Sequence, residues 1–357
     1  MVIQQLTITS TQKYNFPQTN IDTTLPRRFI ELSINSLKKM QNQTFQLNQQ
    51  TFQQKPSIEE QLQTTQLRLK PIRLKPRTEE TIIAAVDTST IKLGETRKGM
   101  LIAVRGANVW KQDRNYRYVR LGPFIFHVTE ENIKEVYNTL QRAYFNNPQG
   151  HLSSPSFMQI PTRIAGLLER WLQTVLSKTV SNGLILFDGS LTSGTADTPT
   201  RCMRELLSGA REMGNVVLAF SKMTNLRLNG YLITDLLLKY DPPYLFEMTD
   251  LRSKPPLVLL GDVYVARLTK GNYAFRLDID KEVPLERKVE AVEKLLGNDI
   301  ILQSYPETLR LAHILCTFTA NEVIAMQHFI ARKYGLKIIN RPDMHRLLFG
   351  PFGKGES

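Results

Sequence analysis

Two acidic residues stand where apolar runs stop. Asp87 closes the apolar stretch of IIAAVDTS, and Asp188 closes that of LILFDGS. An aspartate at the carboxyl end of a buried strand points into the crevice where sheets with parallel strands bind ligands. The same residue type is also a common turn former or helix cap. Two such carboxylates on neighbouring strands repel one another unless a cation lies between them. Oxygen donors of this kind suit Mg²⁺ or Mn²⁺.

Three further residues are candidates. Glu169 lies in PTRIAGLLERWLQTVLSKTV, beside Ala165, Leu172 and Leu176 on a helical wheel. It borders the apolar stripe, a position usually taken by a solvated flank residue. His313, in SYPETLRLAHILC, shares a helical stripe with Leu309, Ala312 and Cys316. It reads either as a packed, hydrogen-bonded residue or as a metal ligand or proton shuttle. Lys222 follows NVVLAFS, where a lysine either meets a phosphate or is only a solvated strand flank. His127, His151, His328 and His345 have no useful partner spacing. Other chemistries lack their motifs. GPFGKGES at 350–357 is too short for a phosphate-binding loop, and no Gly-x-Ser-x-Gly, His-Glu-x-x-His or dinucleotide fingerprint occurs.

The elements that must carry these residues follow from hydrophobic periodicity. TIIAAVDTS, GMLIAVRGANVW and YRYVRLGPFIFHVT read as three successive strands, hence an antiparallel meander. ENIKEVYNTLQRAYF and PTRIAGLLERWLQTVLSKTV follow as helices, the second with Pro161 in its first turn. GLILFDGS and NVVLAFSK are continuous apolar strands separated by a helix at about 198–213, the signature of parallel pairing. A further helix is expected at about 226–240. PPLVLLGDVYVARL with NYAFRLDID forms a hairpin, and helices close the chain near 285–296, 306–318 and 320–334.

Composition bounds the rest. The 357 residues carry a net charge of +13 and 41% hydrophobic residues, enough for a large core and a polyanionic partner. Residues 1–76 hold fourteen Gln and +6 of that charge. They read as a basic Gln-rich extension with one helix from about Pro26 to Met40, the remainder flexible or weakly helical. The domain boundary is expected near residue 77, with a domain to about 340 and a tail at 341–357. Two cysteines exclude a disulfide framework and point to a reducing compartment. No apolar run approaches the roughly 20 residues that span a bilayer, and the start lacks a signal-peptide layout. A cytoplasmic protein without membrane association is expected.

Three antiparallel strands, then helix, strand, helix, strand, with acids on the first and fourth strands and the intervening helix, resemble the ribonuclease H-like nucleases. More narrowly, residues about 80–340 resemble the NurA nuclease family. IIAAVDTS, Glu169 nineteen residues before Asp188, ILFDGS, Ser221-Lys222, the VYVARL…FRLDID hairpin and YPETLRLAH carry the resemblance. It implies a ribonuclease H-like mixed sheet and a DNA nuclease with 5′-to-3′ exonuclease and single-strand endonuclease activities in end resection and repair. It further implies a homodimer working on single- and double-stranded DNA with a HerA-like hexameric ATPase. Asp87, Glu169, Asp188 and His313 become catalytic metal-site residues for two Mn²⁺ or Mg²⁺ ions, and Lys222 a contact to the scissile phosphate. The alternative from the same sequence is a non-catalytic DNA-binding adaptor subunit of a translocase complex. An RNA-directed nuclease on this scaffold is a third reading.

Overall fold

The computed structural model describes residues 24–40, 44–51, 62–63, 71–145, 155–224, 226–228, 231–248 and 251–339. The expected 341–357 tail lies outside them. After α1 (Thr24–Lys38) and β1 (Thr44–Thr51) come three long strands, β2 (Ile83–Thr96), β3 (Gly99–Gln112) and β4 (Asn115–Thr129). These three pair antiparallel, as their unbroken succession predicts. Asp113 and Arg114 join β3 to β4 with φ of 49° and 62°. Positive φ at both central residues is the two-residue turn whose twist matches that of the strands. Helices α2 (Ile133–Phe145) and α3 (Ile160–Thr179) follow.

The chain then alternates. β5 (Leu184–Asp188), α4 (Thr200–Glu212) and β6 (Val216–Ser221) form the parallel unit. β7 (Tyr244–Glu247), β8 (Gly261–Arg267) and β9 (Phe275–Asp280) complete the sheet. Helices α5 (Leu285–Asn298), α6 (Glu307–Cys316) and α7 (Ala320–Tyr334) precede a last strand, β10 (Lys337–Ile339). The main sheet has eleven strands, and most run in the order β10-β1-β2-β5-β6-β9-β8-β7, with β3 and β4 stacked off β2. Three antiparallel strands followed by parallel β5 and β6 give the ribonuclease H-like arrangement expected.

Burial of β5 and β6 on both faces explains their continuous apolar sequences. One core lies between the sheet and α1 to α4, built on residues such as Val86, Phe187, Leu168 and Leu207. The opposite face carries Ala85, Leu186 and Leu218 against Val292 of α5 and Leu309 of α6.

Three expectations need correction. The first is the separate extension before residue 77. Leu25 and Phe29 of α1 are buried in the main core, and Phe29 packs on Phe124 and Phe126 at centroid distances of 5.2 and 5.7 Å. β1 pairs with β2 and β10, and Ile72–Arg73 pairs with β7. The amide of Lys75 and the guanidinium of Arg77 both donate to Glu293 on α5. A Gln-rich strand can be ordered this way because backbone pairing completes the edge of β2. The second is the helix at 226–240. Arg227–Leu228 pairs antiparallel with Tyr231–Leu232, and only the short helix Ile233–Leu236 follows. The Asn229-Gly230 dipeptide is the sequence signal for that hairpin. The third concerns apolar length. The stretch Glu307–Tyr334 is long and apolar enough by composition to cross a bilayer. Here it divides at 317–319 into α6 and α7, and Thr319 and Glu322 form a reciprocal capping box at the start of α7.

The placement of α1 in the core predicts a large effect at its centre. Phe29→Ala is expected to lower stability by about 3–5 kcal/mol in urea unfolding, the range for emptying a buried Phe site. A midpoint unchanged from wild type would show that α1 lies apart from the folded core.

Candidate metal centre

The register of the sheet brings the two aspartates together. β2 and β5 run parallel, with Val86 opposite Phe187 as the last pair, so Asp87 and Asp188 are the next residue on each strand. Asp87 differs from expectation in one respect: it does not end its strand, since β2 continues to Thr96. What ends there is the pairing with β5. The same edge of β2 is taken up again by β1 only from Ile91 onward. Among the described residues, 87–90 have no strand partner on that edge, and the carboxylates lie beside this gap.

One side chain reaches this gap from each face of the sheet. Helix α3 packs on one face through Ile164, Leu168 and Leu172. Its Glu169 Oε2 accepts from the Thr88 hydroxyl at 3.3 Å, and its Oε1 accepts from Gln173 Nε2 at 3.1 Å. Arg170 in turn donates to Gln173 Oε1 at 2.6 Å, so the amide is fixed in that orientation. Helix α6 packs on the other face through Leu309 and Ala312. Its His313 Nδ1 shares a hydrogen bond of 2.7 Å with Asp87 Oδ2, while Asp87 Oδ1 accepts from the Thr88 amide at 2.7 Å. Lys222, just beyond β6, donates to Asp188 Oδ2 at 2.7 Å. All five residues named from the sequence are thus gathered at one place. Lys222 is engaged with Asp188 itself.

The electrostatics show the cost of burying acids. Burial, with Asp87 and Asp188 adding, pushes the Glu169 carboxyl up to about 7 despite the nearby Arg170. Burial and then the Asp87 charge also push Asp188 upward, and Lys222 opposes that rise. Glu169 and Asp188 therefore resist ionisation first because they are buried and then because other carboxylates lie near. Carboxylates and an imidazole are donors that suit a divalent cation, and donor atoms of Asp87 and His313 lie within 4.8 Å of one another and of the Cys316 sulfur.

The loop behind Asp188 is pinned from below. Gly189 takes φ of 108°, its amide donates to the Phe220 carbonyl at 2.8 Å, and the Ser221 hydroxyl donates to the Gly189 carbonyl at 2.9 Å. The Leu191 amide donates to Asp278 Oδ2 at 3.0 Å. Asp278 forms a two-point ion pair with Arg276, both contacts 2.7 Å, and both residues are fully buried. A buried pair of this geometry tolerates little displacement, which keeps the loop in register.

Two residues near the carboxylates were not chosen from the sequence. The Tyr305 hydroxyl is buried and finds no hydrogen-bond partner among the described residues. Burial and the Asp188 and Asp87 charges drive its ionisation far upward, and the Lys222 ammonium lies 5.9 Å from its ring centroid. It lies eight residues before His313 in the YPETLRLAH segment, but a tyrosine in an apolar segment carries no signal of its own. The second is Cys316, buried at the end of α6, whose thiol is pushed upward by burial and by Asp87 and Glu169.

Glu169 predicts proton-linked metal binding. The folded, metal-free chain holds the Glu169 proton to about 7, against an ordinary value of 4.5. The folded state therefore binds more protons in that window, and metal-free stability falls as pH rises through it. A cation must displace the same proton, so Mn²⁺ affinity by calorimetry is expected to rise about tenfold between pH 6 and 8 with net proton release. Glu169→Gln should remove this pH step. An affinity independent of pH in the wild-type chain would contradict the assignment.

No family model and no curated protein matches the chain. Among solved structures it is similar to the NurA nuclease from Sulfolobus solfataricus, with 16% identity, 74% of this chain and 88% of that one covered, and a TM-score of 0.48. It is also similar to a NurA bound to dAMP and manganese, with 10% identity, 71% and 88% covered, and a TM-score of 0.40. Endonuclease V from Bacillus subtilis is similar at 12% identity, with 75% and 88% covered and a TM-score of 0.33.

Proposed function

We propose that this protein is a divalent-metal-dependent nuclease that hydrolyses phosphodiester bonds in DNA. The observation that carries this reading is the convergence of Asp87, Asp188 and Glu169 from two adjacent strands and a facing helix, with His313 closing the group from the other side. Asp87, Asp188, Glu169 and His313 would hold the cation. Bound Mn²⁺ or Mg²⁺, two ions in this reading, supplies a Lewis acid for the phosphate and a water of lowered pKa.

The chain's own residues do the remainder. His313 orients Asp87 through their shared hydrogen bond, and Gln173 and Thr88 hold Glu169 toward the gap. Lys222 balances Asp188 and lies where a phosphate oxygen approaching that carboxylate would meet it. The excess of +13 grips a nucleic-acid backbone without reading bases. On this reading the protein is a cytoplasmic homodimer working beside a HerA-like ATPase in end resection, with 5′-to-3′ exonuclease and single-strand endonuclease activities.

Cleavage of labelled single- and double-stranded DNA with Mn²⁺ tests the reading, with RNA of the same sequence as the competing substrate. Asp188→Asn is expected to lower cleavage by about 10²-fold or more, the scale for losing a key charge-stabilising group, while DNA binding persists. Wild-type protein that binds DNA but never cuts it, with or without an ATPase partner, would favour the adaptor reading.

A further inference from the structure

One donor beside the carboxylates differs from them in kind. The Cys316 sulfur, a carboxylate oxygen of Asp87 and a ring nitrogen of His313 all lie within 4.8 Å of one another. His313 and Cys316 are three residues apart on α6 and so share a face, which α6 presents to β2. The thiol makes a 3.2 Å hydrogen bond to the His313 carbonyl. Cys316 is fully buried and forms the floor, whereas the His313 side chain is 53% exposed and forms the open side.

This geometry suits a cation other than the hard ion assigned above. Mg²⁺ and Mn²⁺ prefer oxygen, whereas thiolate donors select soft or borderline cations such as Zn²⁺ and Cd²⁺. Tetrahedral zinc bonds of 2.0–2.3 Å place ligand atoms roughly 3.5 Å apart. Asp87 and His313 must therefore give up their 2.7 Å hydrogen bond and part slightly while the sulfur draws nearer, a movement of the kind that side-chain torsions of Asp87 and His313 supply.

We propose that Asp87, His313 and Cys316 form a thiophilic cation site that takes Zn²⁺ or Cd²⁺ and switches the centre off. The proposal rests on the reading of Asp87 and His313 as cation ligands, because both sites use them. Binding forms a sulfur–metal bond as the Cys316 thiol releases its proton to solvent, and no redox step is involved. Since Asp87 and His313 cannot serve both cations at once, Zn²⁺ or Cd²⁺ excludes Mn²⁺.

The experiment uses the full chain carrying Cys202→Ser, which leaves Cys316 as the only thiol of the two cysteines. Chelator-stripped protein is titrated with Cd²⁺ alone and, in a second series, with Co²⁺ alone. A sulfur-to-metal charge-transfer band that saturates at one equivalent is expected. Adding Cys316→Ser should abolish the band and lower Cd²⁺ affinity relative to Mn²⁺ by about tenfold or more. Because the band is read first on the chain that retains Cys316, a poorly folded variant does not decide the outcome; Cys316→Ala with a thermal melt provides a second comparison. Cd²⁺ binding at this centre without a charge-transfer band would overturn the proposal and leave the nuclease reading intact. A normal band with no Mn²⁺-dependent DNA cleavage would uphold the thiophilic site and overturn the nuclease reading.

Discussion

Burial of the Asp188 and Glu169 carboxyls beside Asp87 is the constraint around which this site is arranged. Burying a carboxylate costs free energy unless a proton or a cation offsets it, and here burial, with the Asp87 and Asp188 charges adding, holds the Glu169 proton up to about 7. The sheet enforces the contact through backbone register. Val86 and Phe187 are paired, and the residues after them have nowhere else to go. β5 then stops and β1 meets β2 only from Ile91 onward, so among the described residues the strand that holds Asp87 has no partner on that edge at that point.

The surrounding structure keeps that costly arrangement from relaxing. Core packing on one face fixes α3, and packing on the other fixes α6, so Glu169 and His313 approach from opposite sides of one sheet. The loop after Asp188 cannot drift, because the Leu191 amide is held by Asp278 and Asp278 by Arg276. Farther out, Arg105 is buried, donates to the Thr317 carbonyl and pairs with Glu322, so the α6–α7 turn is tied to β3. These contacts bind nothing themselves. They hold the distances on which the centre depends.

Much of this was legible in the residues. The alternation of continuous apolar strands with amphipathic helices identified the meander, the parallel unit and α3, because burial on both faces leaves an unambiguous pattern. Asp87 and Asp188 stood out as acids ending apolar runs. Glu169 did not, since its place on the border of a helix face is also that of solvated residues; only the Thr88 and Gln173 contacts separate the two. Cys316 shares a helical stripe with His313, but its place beside Asp87, like that of Tyr305 near the carboxylates, depends on how α6 docks on β2. Composition misled at the N-terminus. Gln-rich sequence has little to bury, yet β1 is ordered through backbone pairing and α1 through Leu25 and Phe29. Short polar segments that add to an existing sheet edge leave almost no hydrophobic signal.

Crystals grown with Mn²⁺ and measured at the manganese absorption edge would test the central claim most directly. Anomalous peaks are expected between Asp87, Asp188 and Glu169, with Lys222 withdrawn from Asp188. Peaks elsewhere on the protein, with Lys222 still on Asp188 and the three carboxylates unliganded, would contradict the account.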